Sequence, residues 1–162
     1  MSAPRPLRIV SGGQTGVDRA ALDAAAACGR ESGGWCPAGR GAEDGAIPAR
    51  YPLRETPSSD PAQRTQWNVR DSDATLVLSR EAPRGGTALT IAEARRQGRP
   101  LLALRLEPGA NPETLARAWA WLDTARVHAL NVAGLVECVQ LPYSENQGVA
   151  SLDGALGHVV RL

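Results

Sequence analysis

Leu7-Arg8-Ile9-Val10-Ser11-Gly12-Gly13-Gln14-Thr15-Gly16 is the stretch on which the fold turns. The short, mostly apolar run from Leu7 to Val10 predicts a strand that stops at a glycine turn. Gly16 to Cys28 then predicts a helix. It is alanine-rich, carries Asp18 in its first turn and meets Gly29 as its terminating glycine. Strand, glycine turn and helix in that order open an α/β protein.

Outward from that start the alternation repeats. Asp60-Pro61 reads as an N-cap followed by proline at the first helical position, and the helix should reach Arg70. Ala74 to Ser79 is a continuous apolar strand of the buried parallel type. A helix follows from Thr87 to Gln97, with Arg95 and Arg96 in its last turn and Gly98 behind it, and Pro100 to Leu106 predicts another buried strand. Asn111-Pro112-Glu113 opens a further helix whose Leu115, Ala118, Trp119 and Leu122 share a core stripe, with Trp121 on the opposite side. Val127 to Val132 is a strand ending at Ala133-Gly134, and Val149 to Val160 has helical spacing. Arg30 to Pro61 has no periodicity, yet Trp35, Cys36, Ile47, Tyr51 and Leu53 need packing partners, so the segment is ordered and suited to binding. The expectation is one domain over residues 1–162, doubly wound α/β with a mainly parallel sheet flanked by helices, Rossmann-like in the broad sense.

Composition narrows the function. Eighteen basic and seventeen acidic residues leave a net charge of +1, so no polyanion surface and no nucleic-acid partner are expected. All the basic residues are arginine, and the absence of lysine excludes a Walker-type phosphate lysine and a Schiff-base lysine. Three cysteines without a CxxC pair fit reduced thiols in a cytoplasm. No window approaches the roughly 20 apolar residues that cross a bilayer, so no membrane partner is expected either. Cys36 is read as a thiol open to solvent beside Trp35, without a histidine to activate it. His128 and His158 are too far apart in sequence to suggest a metal site, and no motif for a catalytic residue is found.

Ligands of such sheets bind beyond the carboxyl ends of the strands. After the first strand come Gly12, Gly13, Gln14, Thr15 and Gly16. After the Ala74–Ser79 strand comes a second glycine pair, Gly85-Gly86, with Thr87 at the helix start. Glycine lets backbone amides approach an anion, and a helix N-terminus favours negative charge there. Two such loops on one sheet can converge on one small anionic ligand, which is more specific than either alone. A tight turn without any ligand is the plainer reading of each. Ser79 at the strand end, Thr90 one turn into the helix, and Arg64, Thr65 and Asn68 on the preceding helix extend the candidate set. At the end of the last strand, Asn131-Val132-Ala133-Gly134 is either a third contact or an ordinary turn.

In combination these stretches resemble the molybdenum cofactor carrier proteins. The likeness runs through Ser11 to Asp18, Gly33 to Arg40, Arg64-Thr65 with Asn68-Val69, Asp71 to Thr75, Gly85 to Thr87 and Leu130 to Gly134. The resemblance implies a fold related to the LOG, or lysine-decarboxylase-like, proteins. It also implies non-catalytic binding, protection and transfer of molybdenum cofactor by a homo-oligomer. A molybdoenzyme or a cofactor-biosynthesis protein would receive the cargo. The cofactor is a phosphorylated pterin whose own sulfurs hold the metal, so the protein needs no metal ligand. Its anion would lie among Gly12, Gly13, Gln14, Thr15, Gly85, Gly86 and Thr87, with Arg40 or Arg64 as charge partner. One departure stands out: after Gly134 the family continues with proline and arginine, whereas this chain has Leu135-Val136-Glu137-Cys138. Two alternatives stay open. A LOG-like phosphoribohydrolase would need a glutamate where Thr90 stands, and a sensor of a nucleotide-derived signal needs only the same phosphate cradle.

Overall fold

Apolar segments of strand length alternate with amphipathic segments of helix length, and the computed structural model describes the outcome for residues 7–106 and 112–135. In chain order the elements are β1 (Arg8–Val10), α1 (Val17–Ala27), β2 (Ser32–Gly33), β3 (Trp35–Cys36), β4 (Gly41–Ala42), β5 (Gly45–Ala46) and β6 (Arg54–Glu55). Then come α2 (Pro61–Arg70), β7 (Ala74–Ser79), α3 (Gly85–Arg96), β8 (Leu101–Arg105), α4 (Pro112–Ala125) and β9 (Ala129–Leu135). The main sheet has five strands in the order β2-β1-β9-β7-β8, every neighbouring pair parallel. Right-handed crossovers then place α1 and α4 on one face and α2 and α3 on the other.

Packing agrees with that division. Val17, Ala21, Ala24 and Ala25 of α1 and Ala118 and Leu122 of α4 share one core with Ile9, Leu76, Leu78, Leu130 and Val132. A second, smaller core of Leu22, Cys36, Ile47 and Tyr51 sits beneath the segment between β2 and α2. That segment is ordered without being regular. Arg40, at φ 55°, points its guanidinium inward and donates to the carbonyls of Ile47, Pro48, Tyr51 and Leu53 at 3.0–3.2 Å. One arginine fork thus replaces a strand ladder.

Several expectations are corrected. Cys36 is fully buried, and desolvation pushes its thiol pKa up, so it is an inert core residue. The Pro100–Leu106 strand is a half-exposed edge, because no described strand pairs with the outer side of β8. The last strand does not end at Ala133-Gly134 but continues through both to Leu135. α3 starts two residues early, at Gly85. Trp121 packs against the main core and not on an outer face. Cys138, His158 and the helix expected at 149–160 lie outside the described residues. Among the described residues no helix is long and apolar enough to cross a membrane.

Candidate functional site

The chain leaves β1 toward β2 on one side, while β7 leads to β8 on the other, so the loops after β1 and β7 face each other across the end of β9. In the first loop Ser11 is buried and donates from its hydroxyl to the Val132 carbonyl at 2.8 Å. A side chain on Gly12 would collide with the Arg64 guanidinium, and one on Gly13, at φ +76°, with Leu53 and Ile47. These glycines therefore give way to the protein's own side chains. Gln14 donates from Nε2 to the Gly41 carbonyl at 3.0 Å, and the Thr15 hydroxyl to Glu43 Oε2 at 3.4 Å. Gly16, at φ 84°, is the N-cap of α1, and no side chain caps that helix.

The second loop delivers α3. Arg84 is its N-cap in extended conformation, again without a side-chain cap bond. Gly85 takes φ 52°, and the space where a Cβ on Gly86 would point holds nothing nearer than an Arg64 nitrogen at 3.9 Å. The Thr90 hydroxyl donates back to the Gly86 carbonyl at 2.9 Å. Arg64 reaches in from α2 with a side chain only 12% exposed, pairing with Asp18 Oδ2 at 3.6 Å, and its buried Nε has no hydrogen-bond partner. Burial pushes the Asp18 carboxyl pKa up, against the pull of Arg64 and of the Gln14 and Gly12 amides.

Between these elements lies a cleft of about 610 Å³. Of the residues expected from sequence, Gln14, Thr15, Arg64, Gly85, Gly86, Thr87 and Thr90 line it together. The others lie elsewhere, each for a visible reason. Arg40 is taken up by the four carbonyls already described. Thr65 is buried and donates to the Pro61 carbonyl at 3.1 Å, as α-helical threonines do. Asn68 clamps the Trp35 backbone, accepting from its N–H at 2.7 Å and donating to its carbonyl at 2.9 Å. Asn131 is not beyond a strand but within β9, where its amide donates to Thr75 Oγ1 at 3.3 Å. Ser79 is buried at the end of β7, and Gly12, Gly13 and Gly16 shape the first loop from behind.

Ala133 and Gly134, from the run expected as a third contact, do line the cleft, whereas sequence reasoning missed Asp18, Glu43, Pro61 and Arg84, which line it as well. Arg84 and Asp18 adjoin the glycine loops and could have been found by position. Glu43 had no such signal. It enters from the β4–β5 hairpin, which Arg19 ties down through Asp44 at 2.5 and 2.8 Å while also holding the Gly13 carbonyl at 2.9 Å. Among the described residues no group of three histidine, cysteine or acidic side chains is placed to hold a metal ion.

A family model described as the circularly permutated YpsA SLOG family matches residues 9–147. The chain is similar to a crystal structure from Syntrophus aciditrophicus SB named "Putative molybdenum carrier protein", with a TM-score of 0.83 and 36% identity. That similarity covers 98% of this chain and 96% of the other. Comparison with curated proteins finds no match.

Proposed function

The chain belongs to the circularly permutated YpsA SLOG family, and from that premise we propose that it binds molybdenum cofactor in the cleft and hands it on chemically unchanged. The observation that carries this reading is the convergence of two helix N-termini, neither capped by a side chain, on a cleft that also holds the Arg64 guanidinium. First-turn amides and an arginine fork suit a phosphate, the terminal group of the pterin cargo. Arg64 Nε, buried and without a hydrogen-bond partner, fits a site that an anion completes. The Syntrophus relative's name, a molybdenum carrier, supports a molybdenum-containing cargo. Metal held by the pterin's own sulfurs asks nothing of protein ligands. Gly86 and Thr87 would receive the phosphate on the α3 side, and Gln14 and Thr15 would flank it from the first loop. At the position where a LOG-type hydrolase needs a glutamate stands Thr90, its hydroxyl already donating to Gly86. Glu93 is turned away onto Arg96 and Gln97. Binding without turnover is the chemistry these residues support.

Purification from cells that make the cofactor tests this. Oxidised pterin fluorescence and molybdenum content should both copurify with the protein, and Gly86→Leu should lose them while staying folded. A wild-type protein that carries a nucleotide and no pterin would overturn the reading.

A further inference from the structure

Among the described residues four charged side chains line the cleft, and they come from different elements. Arg64 and Arg84 belong with the α3 N-terminus, Asp18 lies against Arg64, and Glu43 arrives alone on the β4–β5 hairpin. Asp18 is 5% exposed, and its oxygens already serve the Gln14 and Gly12 amides and Arg64. It belongs to the scaffold. Glu43 differs: it is exposed, lines the cleft and has one long contact, from the Thr15 hydroxyl to Oε2, which leaves Oε1 with acceptor capacity. A purely anionic ligand would be repelled at that end. Ala133 and Gly134, both small, also line the cleft. Small residues leave room for a flat ring.

We propose that Glu43 is a specificity-determining residue that accepts N–H bonds from an amino-oxo-pyrimidine edge, so that the cleft takes a ligand with an anion at one end and such a ring at the other. This deepens the carrier reading and rests on it, since a pterin carries that edge. The chemistry is general. A carboxylate matches two adjacent N–H donors, and a ring lacking the exocyclic amine leaves one acceptor site empty. Of the two carboxylates that line the cleft among the described residues, Glu43 is the one with acceptor capacity to spare. The hairpin that carries it is fixed by the Arg19–Asp44 pair, so the carboxylate is held in place before the ligand arrives.

Guanosine monophosphate and inosine monophosphate share ribose and phosphate and differ only by the exocyclic amine on that edge. Calorimetric titration of the whole protein with each, and with inorganic phosphate, isolates the Glu43 contact. The guanosine nucleotide should bind about tenfold more tightly than the inosine nucleotide. Glu43→Ala should erase the difference, weakening the guanosine nucleotide, which loses two N–H bonds, more than the inosine nucleotide, which loses one. Equal binding of the two nucleotides to wild type, with Arg64→Ala weakening both, would overturn the Glu43 assignment and leave the anion cradle standing. Binding of none of the three probes would overturn the cradle as well.

Discussion

At the scale of single residues, Arg64 and Asp18 are the pair on which the cleft depends. Asp18 is a buried carboxylate whose pKa is raised by desolvation in spite of Arg64. A folded-state value above the unfolded one means the native protein holds that proton more tightly. The resulting stabilisation is present at acid pH and is lost as pH rises through the raised value. Arg64→Ala removes the guanidinium that opposes the shift, so the value should rise further. The variant is expected to lose about 2 kcal/mol of stability at neutral pH and less at acid pH, which urea unfolding at several pH values would measure. A loss that is constant with pH would mean that Asp18 and Arg64 do not interact in the folded state. The glycines divide on the same physics. Gly13, at φ +76° with Leu53 and Ile47 where a side chain would go, is a folding residue. Gly13→Leu should therefore fail to give a cooperative unfolding transition, whereas Gly86→Leu should unfold like wild type and lose ligand. Their circular-dichroism melts separate the two, and two identical melts would refute the distinction.

At the scale of elements, β9 is where the fold is most tightly constrained. It lies between β1 and β7, pairing in parallel with both. Asp73 starts it by accepting from the His128 and Ala129 amides at 2.9 and 2.8 Å. Gly134, one residue before its end, packs against the Leu78 carbonyl and Val17. A methyl at Gly134 must push β9 away from β7, the strand that leads into α3. Gly134→Ala is expected to cost about 2–4 kcal/mol, the range of overpacking at a site that cannot relax. It should also weaken ligand binding, because the loops after β1 and β7 would part. Thermal unfolding and a titration on the same sample check both; an unaltered melting temperature would contradict the crowding at β9. Helix α2 shows the opposite kind of legibility. Asp60 accepts from the Ala62 amide at 2.9 Å with Pro61 behind it, the local signal that marked this helix start in the sequence.

At the scale of the whole molecule, the resemblance to the carrier proteins also implies self-association, and a homo-oligomer stays our proposal. The outward side of α4 at Trp121 is the candidate contact that helix spacing suggests, but the indole is partly buried against the protomer's own core, which argues against it. Sedimentation should therefore give the same assembly for wild type and for Trp121→Glu wherever the variant remains folded, at a stability cost of about 2–3 kcal/mol. A monomeric wild type would remove the oligomer. Loss of assembly in a folded Trp121→Glu would place that face in the interface.

The sequence by itself determined the alternation of elements, the α/β class and both glycine loops. Each of these rests on local physics: side-chain period, capping chemistry and the freedom of glycine at a turn. Ala74–Ser79 and Pro61–Arg70 were legible to the residue for that reason. Only the tertiary structure decided which candidates meet. Arg40, Thr65, Asn68 and Asn131 are polar residues of the right type in the right neighbourhood, but each is consumed by a backbone or side-chain partner, within its own helix for Thr65, along the neighbouring loop for Arg40 and far away in sequence for Asn68 and Asn131. Glu43 carries no local signal, because what places it is the docking of a hairpin on α1, and what brings Gly134 to the cleft is the insertion of the last strand between the first and the seventh. Burial and long-range pairing are properties of the folded chain as a whole, and no window of sequence contains them.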